Sequence, residues 1–197
     1  MANLYNGDTI GTSYQTQLRK EHSGSKWGTT GARYSGNDVV RLLRERPYIN
    51  TVLDFGAGKG SMGQLILGDP EFQRLDWTNY DPGIEAYDQL PTKQFDLVIS
   101  TDVLEHVEPD KLGKTLATLA KLTGKVLYSD IACYPTGKLF AEGPYAGQDL
   151  HLTVEDPKWW RTQFAGQVAL QEAEYQWREK RSKGKAKQRC MMIHERV

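Results

Sequence analysis

Seven consecutive residues, Asp54-Phe55-Gly56-Ala57-Gly58-Lys59-Gly60, have the types and spacing of a ligand-binding turn. Glycines at alternate positions let the backbone bend sharply and bring its amides against a ligand with no Cβ in the way. A helix starting just after them adds a positive end of roughly +0.5 charge, suited to a carboxylate. Asp54 stands where a carboxylate meets an ammonium. A ligand bearing both groups, an amino acid, fits this pairing better than a pyrophosphate does. A second acid, Asp81, follows Gly60 by 21 residues, the distance at which an acid accepts hydrogen bonds from ribose hydroxyls. The overlapping run Gly58-Lys59-Gly60-Ser61-Met62-Gly63 also fits the pattern G-x-G-x-x-G. A nicotinamide-dependent oxidoreductase is therefore the competing assignment.

A second polar group, Thr101-Asp102-Val103-Leu104-Glu105-His106-Val107, follows the apolar run Phe95–Ser100. Polar residues gathered beyond the end of a buried strand suit a reaction centre. Histidine titrates near neutrality, with an unperturbed pKa of about 6.5, and is suited to removing a proton. Of the four histidines, His106 is the first candidate base and His151 the second. Asp102 is the acid beside them.

These residues need a scaffold to hold them. Thr51–Phe55 reads as a short buried strand, Ser61–Leu67 as a helix, Arg74–Tyr80 and Phe95–Ser100 as strands, Pro109–Leu122 as a helix and Lys125–Asp130 as a strand. Before them, Asn37 or Asp38 is placed to cap a helix with Val39, Val40, Leu42 and Leu43 on its apolar face, stopped by Pro47. Residues 132–153 form a long loop, of the kind that is usually functional. Asp156–Phe164 reads as a short helix with Trp159 and Trp160 as core anchors. Gln167–Arg178 and Arg189–His194 read as strands joined by the basic stretch Glu179–Gln188, a closing antiparallel hairpin. The expected fold is α/β, a Rossmann-like, mostly parallel sheet with helices on both faces and that C-terminal hairpin. Residues 1–33 are expected to be an arm or lid over a domain at 34–197, with Tyr14, His22, Trp27, Tyr134 and Tyr145 available to line a pocket.

The run Val52-Leu53-Asp54-Phe55-Gly56-Ala57-Gly58-Lys59-Gly60 resembles motif I of class I S-adenosylmethionine-dependent methyltransferases. The order of elements is similar over roughly residues 37–197. The resemblance implies S-adenosylmethionine as cofactor. Asp54, Gly56, Ala57, Gly58 and Gly60 would bind its methionine part and Asp81 its ribose, while Asp102, His106 and His151 would face the methyl acceptor. Such families place a helix and a third strand after the ribose acid, but only 13 residues separate Asp81 from Phe95. That third strand is expected to be missing or vestigial, giving strand order 2-1-4-5-7-6 in the family's numbering. Pro82, Ala86–Leu90 or the loop at Thr101 would then hold adenine. Asp102-x-x-Glu105-His106 is similar to the E-x-x-E-H pattern of small-RNA 2′-O-methyltransferases and ubiquinone-pathway O-methyltransferases, which ligate a divalent cation. Asp102, Glu105, His106 and His151 are the residues that would hold one here, and no metal is assigned. Gln148–Leu152 with Lys158-Trp159-Trp160 resembles short methyltransferase-domain proteins of phages and bacteria.

The expected acceptor is an O or N atom of a small molecule or nucleotide. The 197 residues suit one domain, and the formal net charge of zero makes no global case for a polyanionic partner. A local case rests on Arg178, Lys180, Arg181, Lys183, Lys185, Lys187 and Arg189, which would make a nucleic-acid methyltransferase the alternative. No Asn/Asp-Pro-Pro-Tyr/Phe run is present, and neither cysteine follows a proline after the fourth strand. The common amino-methylating DNA enzymes and thiolate chemistry at cytosine C5 are thus not matched. Cys133 and Cys190 fit no disulfide framework or zinc spacing, which points to reduced thiols and a cytoplasmic location. No run is apolar enough to span a membrane or serve as a secretory signal.

Overall fold

The computed structural model describes residues 9–24, 27–167, 169–182 and 185–197. The elements are α1 (Thr12–Ser23), α2 (Gly31–Glu45), β1 (Thr51–Phe55), α3 (Ser61–Leu67), β2 (Asp76–Tyr80), β3 (Phe95–Thr101), α4 (Leu112–Leu122), β4 (Thr123–Ala132), α5 (Pro157–Ala165), β5 (Leu170–Ser182) and β6 (Lys185–Arg196). The six strands form one sheet in the order β2-β1-β3-β4-β6-β5. The first four are parallel, and β6 inserts antiparallel between β4 and β5. This is the expected Rossmann-like order without a third strand. Residues 82–94 hold only a short 3-10 turn at Glu85–Tyr87 among the described residues.

Alternation along the strands builds a core on each face. Val52, Leu97 and Ile99 pack with Val39, Leu42 and Leu43 of α2 and Met62 and Ile66 of α3. Leu53 and Val98 pack on the other face with Leu116 and Leu119 of α4 and Trp160 and Phe164 of α5. Trp160 is fully buried there, and Trp159 lies half-buried against the same core, as the anchor role requires. Asp156 caps α5 by accepting from the amides of Lys158 and Trp159, with Pro157 in the first turn. A third cluster joins the arm to the long loop: Ile10, Tyr14 and Leu18 pack on Phe140 and Leu150.

Three boundaries differ from expectation. α2 starts at Gly31, so Asn37 and Asp38 lie inside it and cap nothing. Its first two turns bury Ser35 and Gly36, small residues that an apolar periodicity does not register. Gly36 lies close under the Leu65 side chain, whose Cδ2 a Cβ would meet at 2.5 Å. α4 starts at Leu112, after a turn through residues 109–111. The stretch Glu179–Gln188 is no ten-residue connection. Its strands keep pairing through Glu179↔Gln188 and Lys180↔Lys187 to Ser182↔Lys185, because ladder hydrogen bonds use the backbone whatever the side-chain charge.

Candidate functional site

The chain leaves β1 through Gly56, Gly58 and Gly60, whose φ angles are 80°, 54° and 73°. Glycine enters this left-handed region without the steric penalty of a Cβ. Gly56 N and Ala57 N donate to the Tyr80 carbonyl at 2.7 and 3.0 Å, and Gly58 N donates to Asp81 Oδ2 at 2.8 Å. The turn is thereby fastened to the end of β2, so residues 54–60 and Asp81 share one cleft. Gly58 is required a second time by its neighbour: a Cβ there would strike the Gly28 backbone, whose carbonyl accepts from Lys59 N at 2.9 Å. Gly60 is the left-handed residue before α3.

Asp54 is 2% exposed, and its Oδ2 is buried without a hydrogen-bond partner among the described residues. Burial first, and then the Asp81 carboxylate, push its pKa up to about 7. It borders a recess of about 30 Å³ shared with Gly56, Ala57, Ser61, Thr101 and Asp102. Thr101 therefore lies by Asp54. Asp81 Oδ1 accepts from Gly83 N at 2.8 Å and faces His22 Nε2 at 3.4 Å. Pro82 lines the main cavity, and none of Ala86–Leu90 does.

That main cavity, about 300 Å³, runs from Gly56, Gly58 and Asp81 to His106 and His151. Tyr14, His22, Trp27 and Tyr134 line it as expected, while Tyr145 packs behind Tyr14 with ring centroids 5.0 Å apart. His106 sits on the 3-10 turn Leu104–His106 beyond β3, and its ring is 4.7 Å from that of His151. His106 Nδ1 lies 2.7 Å from the Leu150 carbonyl, and His151 Nδ1 lies 2.6 Å from the Tyr134 carbonyl. A carbonyl can only accept, so each Nδ1 carries hydrogen and each neutral ring keeps a lone pair on Nε2. Burial lowers the pKa of His106. Burial, and then the neighbouring His106, bring His151 down to about 4. At neutral pH both rings are uncharged.

Asp102 has a different environment. It is the one non-glycine residue with positive φ, 60°, among the described residues. Arg189 Nη1 donates to its Oδ1 at 2.9 Å. The same guanidinium donates through Nε to Asp130 Oδ1 at 2.9 Å, and Ser35 Oγ donates to Asp130 Oδ2 at 2.6 Å. Burial alone would raise the Asp102 pKa; Arg189 and then His106 outweigh it and hold the carboxyl down to about 2. Such a carboxylate is too weak a base to take a proton near neutrality. Asp102 is held by Arg189, and that guanidinium, 11% exposed, is engaged by Asp102 and Asp130. Arg178 is likewise engaged, donating to both oxygens of Asp38 at 2.7 and 2.9 Å.

Glu105 points inward. It is fully buried, and its Oε1 accepts from Ala132 N at 2.8 Å. Burial, and then Asp102, push its pKa well above the usual carboxylate range. Among the described residues, no group of three or more His, Cys, Asp or Glu is disposed to hold a metal ion. Both cysteines are free, and burial raises both thiols.

Residues 29–171 match a family model described as a methyltransferase domain. The chain belongs to that family. The nicotinamide reading of the glycine run gives way to it. A sequence comparison with curated proteins returned no significant match. Among solved structures, the chain is similar to 1,6-didemethyltoxoflavin-N1-methyltransferase of Burkholderia thailandensis, with TM-score 0.62 and 17% identity over 100% of this chain and 93% of that one. It is similar to the N-methyltransferase NodS of Bradyrhizobium japonicum, with TM-score 0.60 and 12% identity over 92% and 98% of the two chains. It is also similar to magnesium protoporphyrin IX methyltransferase of Synechocystis, with TM-score 0.56 and 15% identity over 94% and 95%. All three of those structures hold S-adenosyl-L-homocysteine.

The methyltransferase site also contains residues that sequence reading did not single out. Thr30, Ser61 and Gly28 border the recess at Asp54, and Leu18 and Tyr34 line the cavity. Only Ser61, directly after the glycine turn, carried a positional signal. The others arrive through the docking of α1 and α2. No helix among the described residues is long and apolar enough to cross a membrane.

Proposed function

We propose that this methyltransferase uses S-adenosylmethionine to methylate an O or N atom of a small molecule or nucleotide. The observation that carries the reading is the Asp54 carboxylate, buried beside the glycine turn with an oxygen that no group among the described residues satisfies. An unpartnered buried carboxylate is costly, and a ligand ammonium relieves that cost. The residues fit the cofactor: Asp54 for its ammonium, Gly56, Ala57 and Gly58 for close backbone approach, Gly60 for the turn into α3, and Asp81 for its ribose. Pro82 and Thr101 complete the walls of the cavity and the recess. When bound, this group supplies an electrophilic methyl on a sulfonium.

The rest of the chemistry falls to the protein. The acceptor atom must be aligned and must lose its proton. His106 and His151 line the same cavity; His106 is the assigned acceptor of that proton, and His151, held down to about 4, is a weak base near neutrality. Asp102, fixed by Arg189, holds the charge pattern around His106. The described part of the 1–33 arm covers the cavity and contributes Gly28 and Thr30 to the recess, and the domain at 34–197 contributes Asp54, Asp102, His106 and His151. The small-molecule reading is favoured over nucleic acid because Arg178 and Arg189 are already engaged by Asp38, Asp102 and Asp130. Lys183 lies outside the described residues.

Calorimetry with S-adenosylhomocysteine and with NAD tests the cofactor: heat with the first and none with the second is expected, and the reverse would overturn the reading. Tritium transfer from labelled cofactor into separated small-molecule, RNA and DNA fractions of an extract then tests the acceptor class. Label in the small-molecule fraction should fall by about 10²- to 10⁴-fold in His106→Ala. Unchanged turnover in that variant would remove the assigned base.

A further inference from the structure

The inner stripe of α1 presents Tyr14, Leu18 and His22, four residues apart, to the main cavity. Two of the three bury a polar atom with no partner among the described residues: Tyr14 Oη and His22 Nδ1. Tyr14 is 2% exposed and His22 is 8% exposed. Leaving such atoms unsatisfied normally costs about 1–3 kcal/mol each, so a pair of them on one cavity wall marks a place where a ligand completes the bonding.

His22 stands against the acid expected to hold the ribose. Its Nε2 is 3.4 Å from Asp81 Oδ1. The ring is wedged between two glycines: a Cβ on Gly83 would meet His22 Cδ2 at 2.6 Å, and one on Gly28 would meet His22 Cε1 at 2.7 Å. The helix is fastened by other groups. Gln15 Nε2 donates to the Pro82 carbonyl at 3.1 Å, Arg19 pairs with Asp88 at 2.8 Å, and Gly11 N donates to Glu108 Oε2 at 2.7 Å. None of these tethers uses His22.

The carboxylate of Asp81 has about four acceptor positions. Gly58 N and Gly83 N donate to two of them, and His22 Nε2 stands 3.4 Å from Oδ1. A vicinal diol brings two hydroxyls, each able to accept as well as donate, and His22 beside Asp81 is placed to meet one of them. With residues 82–94 forming no strand, the usual wall beyond the acid is also absent among the described residues.

We propose that α1 supplies the missing wall of the nucleoside pocket and that His22 shares the ribose diol with Asp81. Leu18 then offers the apolar surface for the base. This assignment rests on the cofactor reading above and adds to it a binding residue outside the family-matched segment, residues 29–171.

The experiment compares two probes by calorimetry. S-adenosylhomocysteine carries the amino-acid and nucleoside parts. 5′-Methylthioadenosine carries only the nucleoside. His22→Ala should weaken both by a similar factor, about tenfold, whereas Asp54→Asn should weaken only the first. Arg19→Ala, which releases an exposed tether, should leave both affinities within about twofold of the starting protein. The proposal is overturned if His22→Ala binds 5′-methylthioadenosine as well as the unaltered protein does. It is also overturned if Arg19→Ala loses as much affinity as His22→Ala, since docking of the helix would then be the cause. If the unaltered protein binds neither probe, the cofactor reading itself fails and takes this assignment with it.

Discussion

Replacing Asp54 with Asn should stabilise the free protein and weaken its cofactor binding. The Asp54 carboxyl titrates at about 7 in the folded chain against 3.8 for an ordinary aspartate, raised by burial and then by Asp81. Each unit corresponds to about 1.4 kcal/mol. The shift of about three units therefore sets an upper bound of about 4 kcal/mol on the destabilisation carried by the ionised side chain. Asn has nearly the same shape and no charge. For a chain of this length, about 2–4 kcal/mol translates into roughly 5–15 °C in Tm. Natural proteins commonly give up stability at a binding site in this way.

The sign follows from proton counting. Between about pH 4 and 7 the folded chain keeps the Asp54 proton that the unfolded chain has released. Stability therefore falls as pH rises through that window, and the penalty is complete above it. Asp54→Asn lacks this slope. Thermal unfolding of both proteins, followed by circular dichroism at pH 4, 5.5 and 8, should show Tm values that coincide at the lowest pH and separate in favour of the variant as pH rises. S-adenosylhomocysteine should bind the variant about 10- to 100-fold more weakly, the loss of one charge-assisted contact of about 1.5–3 kcal/mol. A variant less stable than the parent at pH 8, or a gap that does not change with pH, would refute the claim that Asp54 is held ionised at a cost for a ligand.

Three other outcomes follow from the same geometry. His151 titrates at about 4 in the folded chain, below the ordinary 6.5, so stability present at neutral pH is lost as pH falls through that window, by up to about 3 kcal/mol. Its slope opposes that of Asp54, and comparing His151→Gln with the parent in urea at pH 7 and 4.5 should isolate it; equal losses in both would refute it. Arg189→Met should destabilise the fold by about 3–5 kcal/mol because Asp102 and Asp130 are left buried and unpaired. Adding Asp102→Asn should restore part of that loss in chemical denaturation, and additivity of the two changes would contradict the pairing. Lys183→Glu with Lys185→Glu should leave label transfer into small molecules intact. If it instead abolishes RNA or DNA labelling and flattens the salt dependence, the hairpin is a nucleic-acid surface.

The local part of the site was readable from the chain. The glycine turn lies between β1 and α3, and its conformation is dictated by residues that are neighbours in sequence. Asp81 followed at the spacing that a strand–turn–helix–strand unit imposes, and the short gap before Phe95 predicted the lost strand. What could not be read depends on contacts between distant segments. The first turns of α2 carry no apolar period, and one of their residues, Ser35, is held by Asp130, 95 residues away. Arg189 looked like one cation in a basic run, yet the Ala132↔Arg189 register brings it to the ends of β3 and β4. The tautomers of His106 and His151 are fixed by carbonyls of Leu150 and Tyr134, which no spacing announces.

Two aspartates at neighbouring strand ends show why those distant contacts decide function. Asp54 follows Leu53 at the end of β1, and Asp102 follows Thr101 just beyond β3; both border the recess at the glycine turn. In sequence each is an acid closing an apolar strand. In the fold, Arg189 reaches Asp102 and leaves Asp54 alone. The carboxyl of Asp102 is held down to about 2 while that of Asp54 rises to about 7. One acid is thereby satisfied by the protein and becomes part of the frame around His106. The other has no cation beside it among the described residues, which is what the proposed pairing with a ligand ammonium requires. The difference comes from a guanidinium on the last strand, so the closing hairpin, through Arg189, sets which of the two acids is left for the ligand.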